Sequence, residues 1–203
     1  MVQQLDFAIL DWIQSHLRCA FLDALMPKVT LLAEYGIVLI LLGMVLLCIK
    51  KYRVCGAALL GGLAGGLLIG NGMIKNLAAL LRPCWINTDV PLLIALPEDY
   101  SFTSGHTLHC FIAATVLLHY DKRLGVPALI LAILIAFSRL YLYVHFPTDV
   151  LAGAVFGIGI GLLAVFTAEK IRSRNRKKTS SNCVRFSELS PRILEDFPRT
   201  SLV

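Results

Sequence analysis

Long stretches of this chain contain no charged residue, and they recur along most of its length. Five such runs occupy residues 35–49, 54–74, 104–120, 124–138 and 150–168. The longest reach the ~20 residues that a helix needs to cross a bilayer. Two shorter runs can be extended by residues at the interface or facing a polar pocket. The pattern therefore predicts an all-α, polytopic membrane helical bundle with five spans.

The N-terminal residues have a different pattern. Residues 1–18 carry Asp6 and Asp11 between apolar side chains and lack the basic n-region of a cleavable signal. This pattern favours an amphipathic helix at the membrane interface. We accordingly divide the chain into three parts. They are an N-terminal amphipathic segment (residues 1–28), a transmembrane domain (29–169) and a basic tail (170–203) that we expect to be disordered.

Composition excludes the class of soluble globular domains. Hydrophobic residues make up 57% of the chain, charged residues 16%, and the mean hydropathy is +0.75, whereas soluble domains carry about 25% charged residues. The net charge of +6 is concentrated after the last run, which favours contact with anionic lipid over nucleic acid. Six cysteines occur without a CxxC pair, so neither a zinc site nor a disulfide framework is predicted.

The positions of basic residues orient the predicted bundle. Residues 50–53, residues 121–123 and the tail are rich in Lys and Arg, and such segments face the cytoplasm. Five spans then bring six ionisable residues to the extracytoplasmic face: Lys75, Arg82, His106, Arg139, His145 and Asp149. We expect them to form one site in a multi-pass protein of the cell membrane. For the loop carboxylates Asp89, Glu98 and Asp99 we consider two roles, guarding the entry or helping to select substrates on the one hand and simple solvation on the other, and we expect solvation.

Lys75, Arg82 and Arg139 indicate what that site binds. Three cations in a small volume repel one another unless an anion lies between them, and phosphate oxygens suit both Arg and Lys. Ser104 and Gly105 should open the third span, where free backbone N–H groups favour an anion. A phosphate group is the predicted guest.

The histidines indicate a reaction. Pro147 suits the first turn of the fifth span, which places His145 just before that helix and Asp149 one turn along it. The carboxylate would orient the imidazole, so that His145 attacks phosphorus as a nucleophile. His106 would protonate the departing oxygen and later activate water. No histidine has metal-ligand spacing, so neither a metal nor another cofactor is predicted.

These clusters resemble the type 2 phosphatidic acid phosphatase family, whose pattern is KxxxxxxRP, PSGH and SRxxxxxHxxxD. The first and third motifs match in full, at residues 75–83 and 138–149. The second keeps Ser104-Gly105-His106, but Thr103 stands where the family usually has proline. The resemblance covers about residues 60–165.

The resemblance implies a metal-independent lipid phosphatase. Its phosphate-binding residues would be Lys75, Arg82, Ser104, Gly105 and Arg139. Family members are antiparallel bundles, often with six membrane helices, so the N-terminal segment would be a sixth packed helix. Bacterial members act on undecaprenyl diphosphate, phosphatidylglycerophosphate or phosphatidate, and residues 85–100 would form an apolar rim for such a lipid. The alternative is a protein that binds or transports anionic lipid without cleaving it. The oligomeric state stays open.

Overall fold

The fold is entirely helical in the part of the chain that the structure, a computed structural model, describes. It defines the backbone of residues 2–195 and most side chains up to residue 176. A 3-10 turn, Glu34–Gly36, precedes the third helix, and a π-helical stretch, Leu67–Ile74, links the fourth to the fifth. The α-helices are α1 (Val2–His16), α2 (Ala20–Leu31), α3 (Ile37–Cys48), α4 (Arg53–Gly66), α5 (Lys75–Ala78), α6 (Pro83–Ile86), α7 (Gly105–Tyr120), α8 (Lys122–Tyr141) and α9 (Pro147–Glu195).

The predicted number of membrane spans is not confirmed. Among the described residues, three stretches are long and apolar enough to cross a membrane: Arg53–Ile86, Lys122–Tyr141 and Pro147–Arg176. Helix α3 has only 12 residues and α7 only 16. The uncharged runs overstate these two helices, because the run at 35–49 begins within a 3-10 turn and the run at 104–120 begins at a non-helical residue.

Helix α7 forms the centre of the bundle, packed against α4, α8 and α9. Its residues Leu108, Ile112 and Val116 are fully buried, as expected for a helix that is apolar on all sides. Helix α9 approaches it closely at glycine. A Cβ atom on Gly157 would lie 2.6 Å from the carbonyl oxygen of Leu108, so this contact between backbones requires the missing side chain.

The N-terminal segment is two packed helices, and the predicted boundary at residue 28 falls inside α2. Buried Leu10 and Ile13 of α1 pack in a hydrophobic cluster that also contains Tyr143, while Trp12 on the opposite face of α1 is exposed. Buried Asp6 accepts hydrogen bonds from the hydroxyl (2.7 Å) and the backbone N–H (3.3 Å) of Thr148. Helix α1 is therefore amphipathic and tied to the start of α9.

The two basic linkers lie together at one end of the bundle. The Tyr52 hydroxyl donates to the Asp121 carboxylate at 2.7 Å, which joins residues 50–53 to residues 121–123. Helix α9 continues beyond residue 169 as far as Glu195, whereas the sequence predicts a disordered tail from residue 170. An ion pair between Glu169 and Arg172 at 3.7 Å supports its i,i+3 geometry. Residues 196–203 of the tail lie outside the described residues.

Candidate active site

The predicted site residues come together at the end of the bundle where α8 ends and α7 and α9 begin. Helix α7 starts at Gly105 with Ser104 as its N-cap, and α9 starts at Pro147, as the sequence predicts. His145 lies in the connection between α8 and α9, and Asp149 lies in the first turn of α9. Six of the eight predicted residues are buried: Lys75, Arg82, Ser104, Arg139, His145 and Asp149.

Arg82 links the phosphate-binding cluster to the predicted nucleophile. Its Nη1 donates to the carbonyl of Val144 at 2.8 Å and lies 3.1 Å from Nε2 of His145. Its Nη2 donates to Oδ1 of Asp99 at 2.6 Å, and its Nε donates to the Asp99 carbonyl at 2.7 Å. Lys75 pairs with the other carboxylate oxygen of Asp99. The carboxylate of Asp99 therefore bridges Arg82 and Lys75, two of the three cationic residues predicted to bind phosphate.

Ser101 lies between the imidazole of His145 and the carboxylate of Asp149. Nδ1 of His145 is 3.7 Å from Oδ2 of Asp149, which exceeds hydrogen-bond distance. The Ser101 hydroxyl donates to that Oδ2 at 2.5 Å and lies 3.4 Å from Nδ1. The same oxygen accepts from the backbone N–H of Phe146 at 2.9 Å. The expected direct bond from carboxylate to imidazole is thus replaced by a contact through a hydroxyl.

His145 is held as a neutral imidazole. Burial lowers its pKa well below the usual value, and the positive charges of Arg82, Arg139 and Lys75 lower it further. Because Arg82 can only donate, the contact at Nε2 requires a lone pair on that nitrogen. The proton then lies on Nδ1, facing Ser101. This tautomer, assigned from the hydrogen bonds, leaves the lone pair on Nε2, facing Arg82.

Three residues in or next to the predicted motifs carry buried polar atoms without a hydrogen-bond partner among the described residues. They are Nε2 of His106, Nε of Arg139 and Oγ1 of Thr103. Arg139 is fixed at its other end, because Nη1 donates to the Thr30 hydroxyl of α2 at 2.7 Å. Buried polar atoms are rarely left unpaired, since each costs about 1–3 kcal/mol. A ligand rich in oxygen atoms would satisfy them.

The start of α7 supplies backbone donors, though not every one that the sequence suggests. The N–H of Ser104 donates to the carbonyl of Asp149 at 3.3 Å, and its hydroxyl accepts from Thr107 at 3.0 Å. Ser104 is therefore engaged within the protein. The N–H groups of Gly105 and His106, in the first turn, have no acceptor within the helix. An anion at this helix end would meet those two donors.

Sequence reasoning missed three residues of this site. Asp99 was expected to be solvated, and Ser101 and Thr30 received no role. Ser101 lies three residues before the Ser104-Gly105-His106 motif, which is a signal for it. Asp99 gives no comparable signal, because the adjacent Glu98 is equally acidic and is exposed without an ion pair in the described part of the chain.

Asp99 is ionised in this site. Burial alone would raise the pKa of its carboxyl, but the hydrogen bond from Lys75 and the charge of Arg82 bring the pKa below its usual value. Among the described residues, no group of three or more His, Cys, Asp or Glu side chains is placed to hold a metal ion. The positive charge of this site lies on Lys75, Arg82 and Arg139.

Known proteins are similar to this chain in sequence and in fold. The model of the PAP2 superfamily matches residues 54–173, which contain all eight predicted site residues. Undecaprenyl-diphosphatase of Sulfolobus acidocaldarius is 36% identical over 121 residues, covering 59% of this chain and 58% of that protein. The chain thus spans less than two thirds of that relative. Undecaprenyl-diphosphatase BcrC of Bacillus subtilis is 34% identical over 144 residues, covering 70% of this chain and 72% of that protein.

The likeness extends to a solved membrane structure. The crystal structure of a transmembrane PAP2-type phosphatidylglycerolphosphate phosphatase from Bacillus subtilis superposes with a TM-score of 0.70 at 27% identity. The superposition covers 84% of this chain and 87% of that one. Since the family model covers more than half of the chain and the structural likeness most of it, the chain belongs to the PAP2 superfamily and is a multi-pass membrane protein.

Proposed function

We propose that the protein hydrolyses a lipid phosphate or diphosphate through a phosphohistidine on His145. The observation that carries this proposal is the position of Nε2 of His145. This atom lies 3.1 Å from the Arg82 guanidinium, while Ser101 and Asp149 lie on the other side of the ring. A neutral imidazole so held has its lone pair directed toward the cationic pocket.

The first half of the reaction transfers phosphorus to histidine. Nε2 of His145 forms a bond to phosphorus as the bond from phosphorus to the leaving oxygen breaks. His106 gives its proton to that oxygen, which leaves on a lipid alcohol or a lipid monophosphate. Bound phosphate beside His106 favours its protonated form. Asp149, through Ser101, stabilises the positive charge that develops on the imidazole.

The second half restores the enzyme. His106, now neutral, takes a proton from water, and the water oxygen attacks phosphorus. The bond to Nε2 breaks, which returns its electron pair to His145 and releases inorganic phosphate. Lys75, Arg82 and Arg139, together with the N–H groups of the first turn of α7, stabilise the charge on the phosphoryl oxygens in both halves.

Undecaprenyl diphosphate is the first candidate substrate, followed by phosphatidylglycerophosphate and phosphatidate. Two curated relatives carry the name undecaprenyl-diphosphatase. In the predicted rim, Leu92 and Leu93 pack inward against the cluster that contains Leu10 and Ile13, while Ile86, Leu96 and Tyr100 are exposed. These three exposed side chains are the part of this rim that is available to a lipid. We place the site on the extracytoplasmic side and the C-terminal tail in the cytoplasm.

Phosphate release from the three lipids, in detergent with EDTA, tests the activity and ranks the substrates. His145→Ala should abolish release. His119→Ala provides the matched control, because this exposed histidine lies near the opposite end of α7. Rapid quenching should trap phosphate on the wild-type protein through an acid-labile, base-stable bond. Full activity of His145→Ala would refute the nucleophile. Lipid binding without phosphate release by the wild type would favour the non-catalytic alternative.

A further inference from the structure

The carboxylate of Asp99 occupies the place of an anion in the phosphate pocket. One of its oxygens accepts from Arg82 Nη2 at 2.6 Å and the other pairs with Lys75 Nζ. A phosphoryl group bound by the same two residues would use the same donors, since its oxygens match an Arg fork and a Lys point charge. The carboxylate and the phosphoryl group therefore cannot both make these contacts.

Burial shows which partner can leave. The side chains of Lys75 and Arg82 are 8% and 3% exposed, whereas that of Asp99 is 59% exposed. Lys75 belongs to α5, and Arg82 immediately precedes α6. Asp99 lies in the irregular segment between α6 and α7. The cations are fixed inside the protein, and the carboxylate reaches them from the solvent side.

The backbone near Asp99 is held independently of its carboxylate. Nε of Arg82 donates to the Asp99 carbonyl at 2.7 Å, and the N–H of Ser101 donates to the Leu80 carbonyl at 2.9 Å. A rotation of the Asp99 side chain would therefore release Nη2 of Arg82 and Nζ of Lys75 without moving the loop.

Charge determines which ligands can displace Asp99. The carboxylate carries one negative charge, and its pKa lies below the usual value. A phosphodiester also carries one charge, so exchanging it for the carboxylate brings no electrostatic gain. A terminal phosphate approaches two charges near neutral pH, because its second pKa is about 6. Only the terminal phosphate or diphosphate gains attraction to the cations when it replaces Asp99.

We propose that Asp99 is an internal competitor that weakens the binding of every anion using Lys75 and Arg82, and so keeps out the weakly held phosphodiester head groups of surrounding membrane lipids. It yields the pocket to terminal phosphates and diphosphates. This inference rests on the proposed function, because it takes Lys75 and Arg82 as phosphate ligands. In the empty site the same carboxylate offsets the repulsion between the two cations.

The test compares Asp99→Asn with Glu98→Gln, which removes the same charge from an exposed neighbour. Hydrolysis of a short-chain lipid phosphate is measured with inorganic phosphate or short-chain phosphatidylglycerol as inhibitor. In Asp99→Asn we expect the inhibition constant of the phosphodiester to fall about tenfold, the scale of a partly exposed charge-assisted bond. Glu98→Gln should behave as wild type. An unchanged inhibition constant in Asp99→Asn would overturn the proposal.

Thermal unfolding in detergent supplies a readout that does not depend on turnover. Without phosphate, Asp99→Asn should melt below the wild type, and saturating phosphate should raise its melting temperature by more than it raises that of the wild type. Equal rises would count against displacement. Lys75→Met tests the underlying assignment separately. If inorganic phosphate inhibits that variant as strongly as wild type, Lys75 is not a phosphate ligand and the proposed pocket itself is wrong.

Discussion

Replacing Ser101 with alanine isolates the contact between the predicted nucleophile and its carboxylate. The serine is fully buried, and its hydroxyl is the donor to Asp149 Oδ2 at 2.5 Å. Removing it leaves that oxygen with the backbone N–H of Phe146 as its remaining donor among the described residues. The gap of 3.7 Å between His145 and Asp149 is then unbridged.

The expected size follows from that single bond. A hydrogen bond to a charged group contributes about 1.5–3 kcal/mol. If this stabilisation is needed as charge develops on His145, kcat should fall about tenfold to a hundredfold. The loss should stay below the ~10⁴-fold typical of removing the orienting carboxylate in a hydrolytic triad, because Asp149 remains. KM should change little, since Ser101 contacts none of the predicted phosphate ligands except through His145.

Initial rates of phosphate release over a range of lipid phosphate concentrations separate these two constants. Ser138→Ala is the matched control. It removes the hydroxyl of an equally buried serine that donates to the carbonyl of Ile135 in its own helix, at 2.7 Å. Its kcat should stay within about twofold of wild type. An unchanged kcat in Ser101→Ala would refute the role of the hydroxyl, and a rise in KM alone would reassign it to substrate binding.

Three further outcomes are expected. The depressed pKa of His145 means that below pH ~6.5 the unfolded chain binds a proton that the folded protein does not. As the pH falls below that value, the free energy of unfolding of the wild type should therefore decrease relative to that of His145→Asn by up to ~1.4 kcal/mol per pH unit. A constant difference between the two proteins in thermal unfolding at pH 7.5 and pH 5 would contradict this. Phosphate release should be equal with EDTA and with added Mg²⁺, and a loss with EDTA that Mg²⁺ restores would reveal a metal requirement. Gly125→Ala should destabilise the protein by about 3 kcal/mol or more, because the added Cβ would lie 2.3 Å from the Cα of Leu118. The control Gly61→Ala should melt close to wild type, because no heavy atom lies within 4 Å of its added Cβ.

The sequence predicted the parts of the site that depend on local spacing. Ser104 and Pro147 mark helix starts through their own preferences, so the positions of His145 and Asp149 relative to α9 followed. The gathering of these residues with Arg82 followed from placing successive hydrophobic runs in opposite directions across a membrane. The first inference uses residues within about ten positions of one another. The second uses the alternation of hydrophobic runs and polar linkers along the chain.

The parts that were missed depend on how distant segments pack. Thr30 meets Arg139 across 109 positions of sequence, and no local pattern reports such a contact. Asp99 and Glu98 are adjacent carboxylates, and the path of the loop between α6 and α7 brings Asp99 into contact with Lys75 and Arg82. The span count is not confirmed for another reason: absence of charge extends past the end of a helix, so an apolar run measures hydrophobicity and not helix length.

The short central helix determines how deep the chemistry lies. At 1.5 Å per residue, the 16 residues of α7 extend about 24 Å, while the hydrocarbon core is about 30 Å thick. If the C-terminal end of α7, beside the charged linkers, lies at one interface, its N-terminal end would fall about 6 Å short of the opposite boundary. The reacting phosphorus would therefore sit below the level of neighbouring head groups. A substrate would enter by moving sideways and slightly downward in its own leaflet, its chains would stay among lipids throughout, and only water and inorganic phosphate would need a path through the loops.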